Sequence, residues 1–419
     1  NMLVKKIKNL YFFGLMLMLI CIAIVNFIVD PFSVYRAVSL EGFNKHKPTV
    51  HNFLHLSKAH AVYHIKPTSL ILGTSRAGVG LDPEHSGWQS AITYNLALPG
   101  ATMREVLMYF KHYQAVTPID KIVLSLDFSS FNSYKQPKEG YSEERLMNSR
   151  LFGKSYTKIS DLITTLLSGT SLNQSLYVMR KNIFVDYRTK ERYMENGQAE
   201  WTHNIREIRD FGGHRKAMRS VENNYMKNVW FPMPKRKFGL KPEGMVSPLD
   251  DYREILKIAH ENNMEVDVLI APMHARLQEA IDAAGLWDEF ELWKRELVRI
   301  NEELAVINSE KYFSIWDFSG YGKYNSENVP SVDDADTLMK WWWESTHFRP
   351  ELGLKILDKV LIAQGKEKSI DADFGRLIHS KNINEVLEKI RMEQYDYRKS
   401  HNDFYNRLIK INIDINHPS

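Results

Sequence analysis

Five short apolar runs recur along this chain with helix-patterned stretches between them, and that alternation constrains the fold more than any other feature. The runs occupy 69–72, 92–98 (ITYNLAL), 121–128 (KIVLSLDF), 266–271 (VDVLIA) and 312–318 (YFSIWDF). Helical spacing marks 103–113, 250–262, 278–308 with an interruption near Gly285, and 350–363. Parallel strands need a long crossover, usually a helix, so strands alternating with helices predict an α/β domain built on a parallel sheet of about five strands. The C-terminal edges of such strands converge where ligands bind. The segment 130–249 between the third and fourth runs holds about 120 residues, against the roughly dozen a crossover needs. It predicts a helical insertion beside that edge. Its basic cluster, Lys235, Arg236, Lys237 and Lys241, reads as a solvated loop.

A second feature sets the compartment. Residues 10–29 carry no charge over 20 positions, enough for one helix to cross a bilayer. Lys5, Lys6 and Lys8 precede the run and Asp30 follows it. The positive-inside bias predicts a cytoplasmic N-terminus with everything after residue 30 outside, in the periplasm or at the cell exterior. The run is long for a signal peptide and no small-x-small site follows it, so an uncleaved, single-pass anchor in the inner (cell) membrane is expected. Ile20 before Cys21 argues against a lipoprotein site, and a lone cysteine excludes an internal disulfide. A formal charge of +4 without long like-charge runs gives no case for nucleic acid. The expected organisation is an anchor at 1–30, a domain at 31–365 containing the insertion, and a polar helical extension at 366–419.

Chemistry gathers at the strand ends. The first run ends Gly73-Thr74-Ser75-Arg76, the second gives Asn95-Leu96-Ala97-Leu98-Pro99-Gly100, and the third ends Ser125-Leu126-Asp127-Phe128. Glu344-Ser345-Thr346-His347 precedes the helical stretch at 350–363. A serine hydroxyl is a poor nucleophile until a base takes its proton, and histidine suits that task near neutral pH. A carboxylate then holds the imidazole and stabilises its cation. Glu344, three residues before His347, reaches the same point from a turn. The N–H groups of Ser75 and Gly100 are candidate donors to an oxyanion. The plain alternative makes Ser75 a helix cap. The glycines around it match neither a phosphate-binding loop nor a dinucleotide fingerprint, and Ala77 breaks the nucleophile-elbow pattern. Asp82-Pro83-Glu84-His85 reads as a turn. Glu344-x-x-His347 is half of a di-iron pair with no second copy, so neither metal nor cofactor is expected. Arg76, Asn95 and His274 are candidate pocket residues, although a partly buried loop histidine explains His274 as well. Trp341, Trp342 and Trp343 read as packing before sugar binding.

The order of these blocks resembles the SGNH, or GDSL-like, hydrolase and acyltransferase superfamily. Gly73-Thr74-Ser75 stands at its Gly-Asp-Ser block, Asn95-x-Ala97-x-x-Gly100 at its Asn-x-Gly-x-x-Gly block, and Glu344-x-x-His347 at its Asp-x-x-His block. The resemblance covers about 67–365 and implies a three-layer, flavodoxin-like fold. It also implies a Ser75–His347–Glu344 triad with an oxyanion hole from Ser75, Gly100 and the residue at Asp127, where the family places asparagine. An ionised carboxylate has no hydrogen to donate. Asp127 is therefore protonated, relieved by a neighbouring cation with Arg76 as the candidate, turned elsewhere, or part of a different site; in the asparagine's place it predicts that Asp127→Asn does not lower serine reactivity and raises it if a neutral donor is restored. With the anchor, GTSR, YNLALPGA and ESTHF are similar to the extracytoplasmic branch that includes alginate O-acetyltransferases and the D-alanyl-transfer protein of teichoic acid synthesis. That branch implies transfer or hydrolysis of an O-acyl group, acetyl first, on an exported glycan, with a membrane-bound O-acyltransferase as partner. A catalytically idle glycan-binding or scaffold subunit is the competing expectation.

Overall fold

Residues 2–89, 91–146, 150–151, 154–155, 159–184, 193–362 and 374–416 are described by a computed structural model. The apolar runs form the sheet: β1 (Ser69–Leu72), β2 (Thr93–Asn95), β3 (Lys121–Leu126), β4 (Glu265–Ile270) and β5 (Ser314–Asp317), with a short β6 (Arg376–Leu377). Their spatial order is β2-β1-β3-β4-β5-β6. All neighbours pair in parallel except β5 and β6, which run antiparallel. β1 is buried throughout, and β3 and β4 beyond their first residues, as strands covered on both faces must be. The order reverses between β1 and β3, and the crevice at such a switch point is where open α/β sheets place their sites.

Alternation along the strands feeds two helical layers. Ile71, Val123 and Leu269 join one core cluster with Ala77 of α3 (Ser75–Gly80) and Leu352 and Ile356 of α12 (Pro350–Leu357). On the other side α9 (Pro248–Glu261) packs against α4 (Met103–Val116) and α11 (Trp287–Asn308), burying Tyr109, Tyr113, Tyr252 and Trp293. Thr102 opens α4 with a reciprocal capping box to Glu105, satisfying two backbone donors at once. Under β5, Lys294 and Asp317 form a fully buried ion pair at 2.8 Å, with Ser319 as a further acceptor for the lysine.

Residue contacts divide the chain into two compact units. The sheet unit comprises Pro67–Glu139 and Glu195–Ser419. The other comprises Asn1–Lys66 and Gly140–Met194, with α1 (Met2–Val29), α2 (Leu54–Ile65), α5 (Ile159–Leu167) and α6 (Gly169–Ile183). Helix α1 is long and apolar enough to cross a membrane, with a mean hydropathy of 2.8 over its most apolar window. Near its end Asn26 is buried, donating to the Leu166 carbonyl and accepting from Ser175. In the same unit, Asp161 accepts from His60 and from Arg145. This grouping cuts across the expected boundaries. Residues 31–66 associate with helices drawn from the insertion, and 195–249 belong with the sheet.

Two local expectations also change. The run 92–98 is regular strand only at 93–95; beyond it the Leu96 and Leu98 N–H groups still donate to the Ile71 and Gly73 carbonyls before the chain turns into the loop that carries Gly100. The extension at 366–419 contributes β6 before α13 (Ile383–Ser400) and α14 (Asn402–Asn416); two paired residues are too few to show as an apolar run. The stretch 363–373, including the expected boundary at 365, lies outside the described residues.

Candidate active site

The nucleophile candidate stands where β1 gives way to α3. Gly73 makes the turn at φ +148°, and a Cβ there would sit 2.6 Å from the Ser125 carbonyl oxygen, so only glycine fits this approach to β3. Thr74 is the extended N-cap residue and makes no side-chain cap. Ser75 is the first helical residue, and its hydroxyl turns away from the helix to meet His347 Nε2 at 2.7 Å. The capping alternative therefore fails.

His347 and Glu344 sit at the tip of a loop closed on itself. Trp342 bridges Phe348, Trp343 N–H donates to the His347 carbonyl at 2.9 Å, and Arg349 N–H donates to the Trp341 carbonyl. The Glu344 carboxylate bonds His347 Nδ1 through Oε1 and accepts the N–H groups of Thr346 at 2.7 Å and His347 at 3.0 Å. Burial opposes the charge on Glu344, but His347 and these donors outweigh it and bring the carboxyl down to about 2. It is thus a fixed carboxylate beside the imidazole. Ser75, His347 and Glu344 form one continuous hydrogen-bonded line.

Glycines lock the two halves together. A Cβ on Gly353 of α12 would fall 1.6 Å from the Gly80 carbonyl oxygen at the end of α3. A Cβ on Gly80 would fall 1.9 Å from the Phe348 ring. The helix that starts with Ser75 and the helix that follows His347 therefore touch backbone to backbone.

Asp127 does not stand as an oxyanion donor; this expectation is corrected. Its carboxylate lies 2.8 Å from the Arg76 guanidinium, off the hydrogen-bond axis, and accepts a hydrogen bond from Thr74 Oγ1. Both charged side chains are buried. Burial disfavours the charge on Arg76, yet Asp127, the Tyr225 phenol and Glu344 more than offset it and raise its pKa. The pair holds Thr74 and Arg76, the residues on either side of Ser75.

The other pocket candidates are braces. Asn95 is fully buried and donates to the Ala77 and Leu81 carbonyls at 3.0 and 2.9 Å, tying off α3. His274 caps α10 (Ala275–Ala283), with Nδ1 accepting from Arg276 N–H and Nε2 donating to the Glu327 carbonyl. Burial lowers its pKa to about 3. Its own N–H donates to the Ser345 carbonyl at 3.1 Å, gripping the triad loop. Arg76 also points to its ion pair. Trp342 and Trp343 are buried, the latter stacked on Trp201 at the start of α7 (Thr202–Asp210), so the tryptophan run is packing. Among the described residues no cluster of His, Cys, Asp or Glu could hold a metal ion.

Gly100 has φ +63°, and its loop is tied to the nucleophile turn by Leu98 N–H donating to the Gly73 carbonyl at 3.0 Å. Two lysines attend that loop. The Lys138 chain crosses Gly100, whose Cβ position lies 2.8 Å from Lys138 Cε. Lys135 Nζ donates to the Ala101 carbonyl at 3.3 Å. Burial of its ammonium, with Lys138 nearby, lowers Lys135 to about 8. The sequence reading missed Tyr225, Lys135, Lys138, Thr74 and Thr346. Thr74 and Thr346 lie inside the motifs and were legible as hydroxyls next to the acid and the nucleophile. The others carry no local signal. No protein-family model matches this chain, and no curated protein matches it either.

Proposed function

We propose that this chain is a membrane-anchored serine acyltransferase or esterase of SGNH type, acting on O-acyl groups, first of all acetyl, of an exported glycan. The observation that carries the reading is the His347 ring, spanning from the Ser75 hydroxyl at 2.7 Å to the Glu344 carboxylate. The strand order 2-1-3-4-5 agrees with it, being the flavodoxin-like order.

The reading implies the following steps. Ser75 Oγ attacks the acyl carbonyl carbon while His347 Nε2 takes the hydroxyl proton. Glu344 stabilises the imidazolium so formed. The carbonyl oxygen becomes an oxyanion, for which the Ser75 and Gly100 N–H groups are the donors. Collapse expels the alcohol, which receives the proton from His347, and leaves an acyl ester on Ser75. A glycan hydroxyl or water, deprotonated by the same imidazole, then attacks the ester and restores the serine. This reading puts the chemistry at the outer face of the membrane, where a membrane-bound O-acyltransferase can supply acyl groups. The Arg76 pair accounts for Asp127 without an idle site, which leaves the scaffold reading with no observation of its own.

A fluorophosphonate probe tests the reading. It should label the chain at Ser75, and Ser75→Ala should abolish labelling. Glu344→Gln should slow it by roughly three to four orders of magnitude, the cost of losing the carboxylate in a serine triad. Folded protein that stays unlabelled at Ser75 sinks the enzyme assignment.

A further inference from the structure

Away from Ser75, a cavity of about 450 Å³ opens between α8 (His214–Asn224), α10 and the α13–α14 junction. Arg215, Arg219, Arg276, Arg407, Lys399 and His401 line it, and its only acidic lining residue is Asp403. Beneath them the buried Glu222 carboxylate accepts from Arg276 at 2.7 and 3.0 Å and from Arg407 at 2.6 Å. One glutamate thus serves two guanidiniums. Arg215 donates to the Pro330 and Val329 carbonyls, which hold the side chain in place without cancelling its charge. Arg219 has no acidic partner among the described residues, and Arg407 Nε is buried without an acceptor. Arg276 is also stacked 3.9 Å over the Phe404 ring. Burial first, then the neighbouring charges of Arg276 and Arg219, lower the pKa of Arg215.

We propose that this cavity binds a phosphate group. Cations concentrated from four helices, with donors left over after Glu222 is served, need an anion to complete them. Guanidinium forks pair with phosphate oxygens two at a time, and approach from several sides suits a tetrahedral, doubly charged group better than a planar carboxylate. The first turn of α14, carrying Asn402 and Asp403 in the lining, adds the positive end of a helix dipole. The site is also wired to the triad loop. Glu222 Oε1 accepts from Ser345 Oγ at 2.9 Å, and Ser345 follows Glu344.

The test uses the full chain in phosphatidylcholine nanodiscs and follows its unfolding temperature with inorganic phosphate, and with acetate at matched ionic strength. Phosphate should stabilise the protein well beyond acetate. In an Arg219→Gln, Lys399→Gln double variant the half-saturating phosphate concentration should rise on the order of tenfold, as expected for a lost charge-assisted contact. Both side chains are exposed and neither holds an element in place; Arg219→Gln alone serves should the double variant fail to fold. Nanodiscs containing phosphatidic acid separate two sources of the phosphate. If a lipid headgroup fills the cavity, they stabilise the wild type by themselves and blunt the response to added phosphate. If a soluble phosphoester does, the response is unchanged. Equal effects of acetate and phosphate, or a variant that responds like the wild type, overturn the proposal.

Discussion

At the residue scale, the departure from the SGNH-like pattern at Asp127 resolves into an ion pair that supports the Ser75 turn from behind. That reverses the expected consequence of restoring asparagine. Asp127→Asn leaves the Arg76 guanidinium buried against a neutral amide, and stripping one partner from a buried pair costs on the order of 3–5 kcal/mol. Because the pair grips Thr74 and Arg76, strain from its loss falls on Ser75. Asp127→Asn should therefore lower the unfolding temperature and slow fluorophosphonate labelling at least tenfold at a temperature where the variant is folded. Unchanged or faster labelling would return Asp127 to the oxyanion hole. The triad itself was legible in the sequence, because Ser75, Glu344 and His347 sit at the ends of strongly patterned elements and their chemistry requires those residue types. Arg76 was legible as a neighbouring cation for Asp127, but the direction in which that carboxylate points was not. It depends on Arg76 turning inward and on Tyr225, which arrives from the insertion with no motif to announce it.

At the scale of elements, contact between α3 and α12 sets the distance from serine to histidine. Gly353 has no need of an unusual backbone angle; its demand is for space, with the Gly80 carbonyl oxygen 1.6 Å from where a Cβ would lie. A methyl group there meets backbone, which cannot rotate aside, so α12 must lift from α3 and carry the His347 loop with it. Gly353→Ala should destabilise the protein by about 3 kcal/mol, at the upper end of overpacking costs, and should weaken Ser75 labelling as well. Gly169, with nothing within 4 Å of its Cβ position, supplies the control. A Gly353→Ala protein with the urea midpoint and labelling rate of Gly169→Ala would show that the contact does not set the triad. The alternation of elements was readable because buried parallel strands are nearly all apolar. It located β3 and β4 closely and placed the helix break at Gly285, between Ala283 and Trp287. The close glycine contact was not readable, since small residues signal permission for an approach without naming the partner. Nor was β6, whose pairing to β5 is too short to carry a pattern.

At the scale of the whole molecule, the exposed apolar surface of α1 calls for a lipid environment. Leu10, Tyr11, Phe12 and Leu17 each expose more than half of their surface, a heavy concentration of bare hydrophobic area for any protein in water. A helix of 28 residues rises roughly 42 Å, more than the ~30 Å of a bilayer's hydrocarbon core. The charged first turns and the polar far end can therefore both reach the interfaces. The polar group nearest that far end, Asn26, already has its partners in Leu166 and Ser175, so it adds no unpaired polar group to the apolar phase. Lys5, Lys6 and Lys8 lie at one end only, and lysines beside a span are retained on the cytoplasmic side. That bias predicts export of everything after α1, including Ser75 and the arginine-lined cavity. Periplasmic-activity reporters fused after residue 40 and at the C-terminus should both be active, and cytoplasmic reporters at the same points silent. Replacing the three lysines with glutamate should weaken that bias and raise the cytoplasmic signal. An active cytoplasmic reporter at either position in the unaltered chain would place the serine on the wrong side of the membrane for an exported glycan, and the substrate assignment would fall even if Ser75 still reacts with the probe.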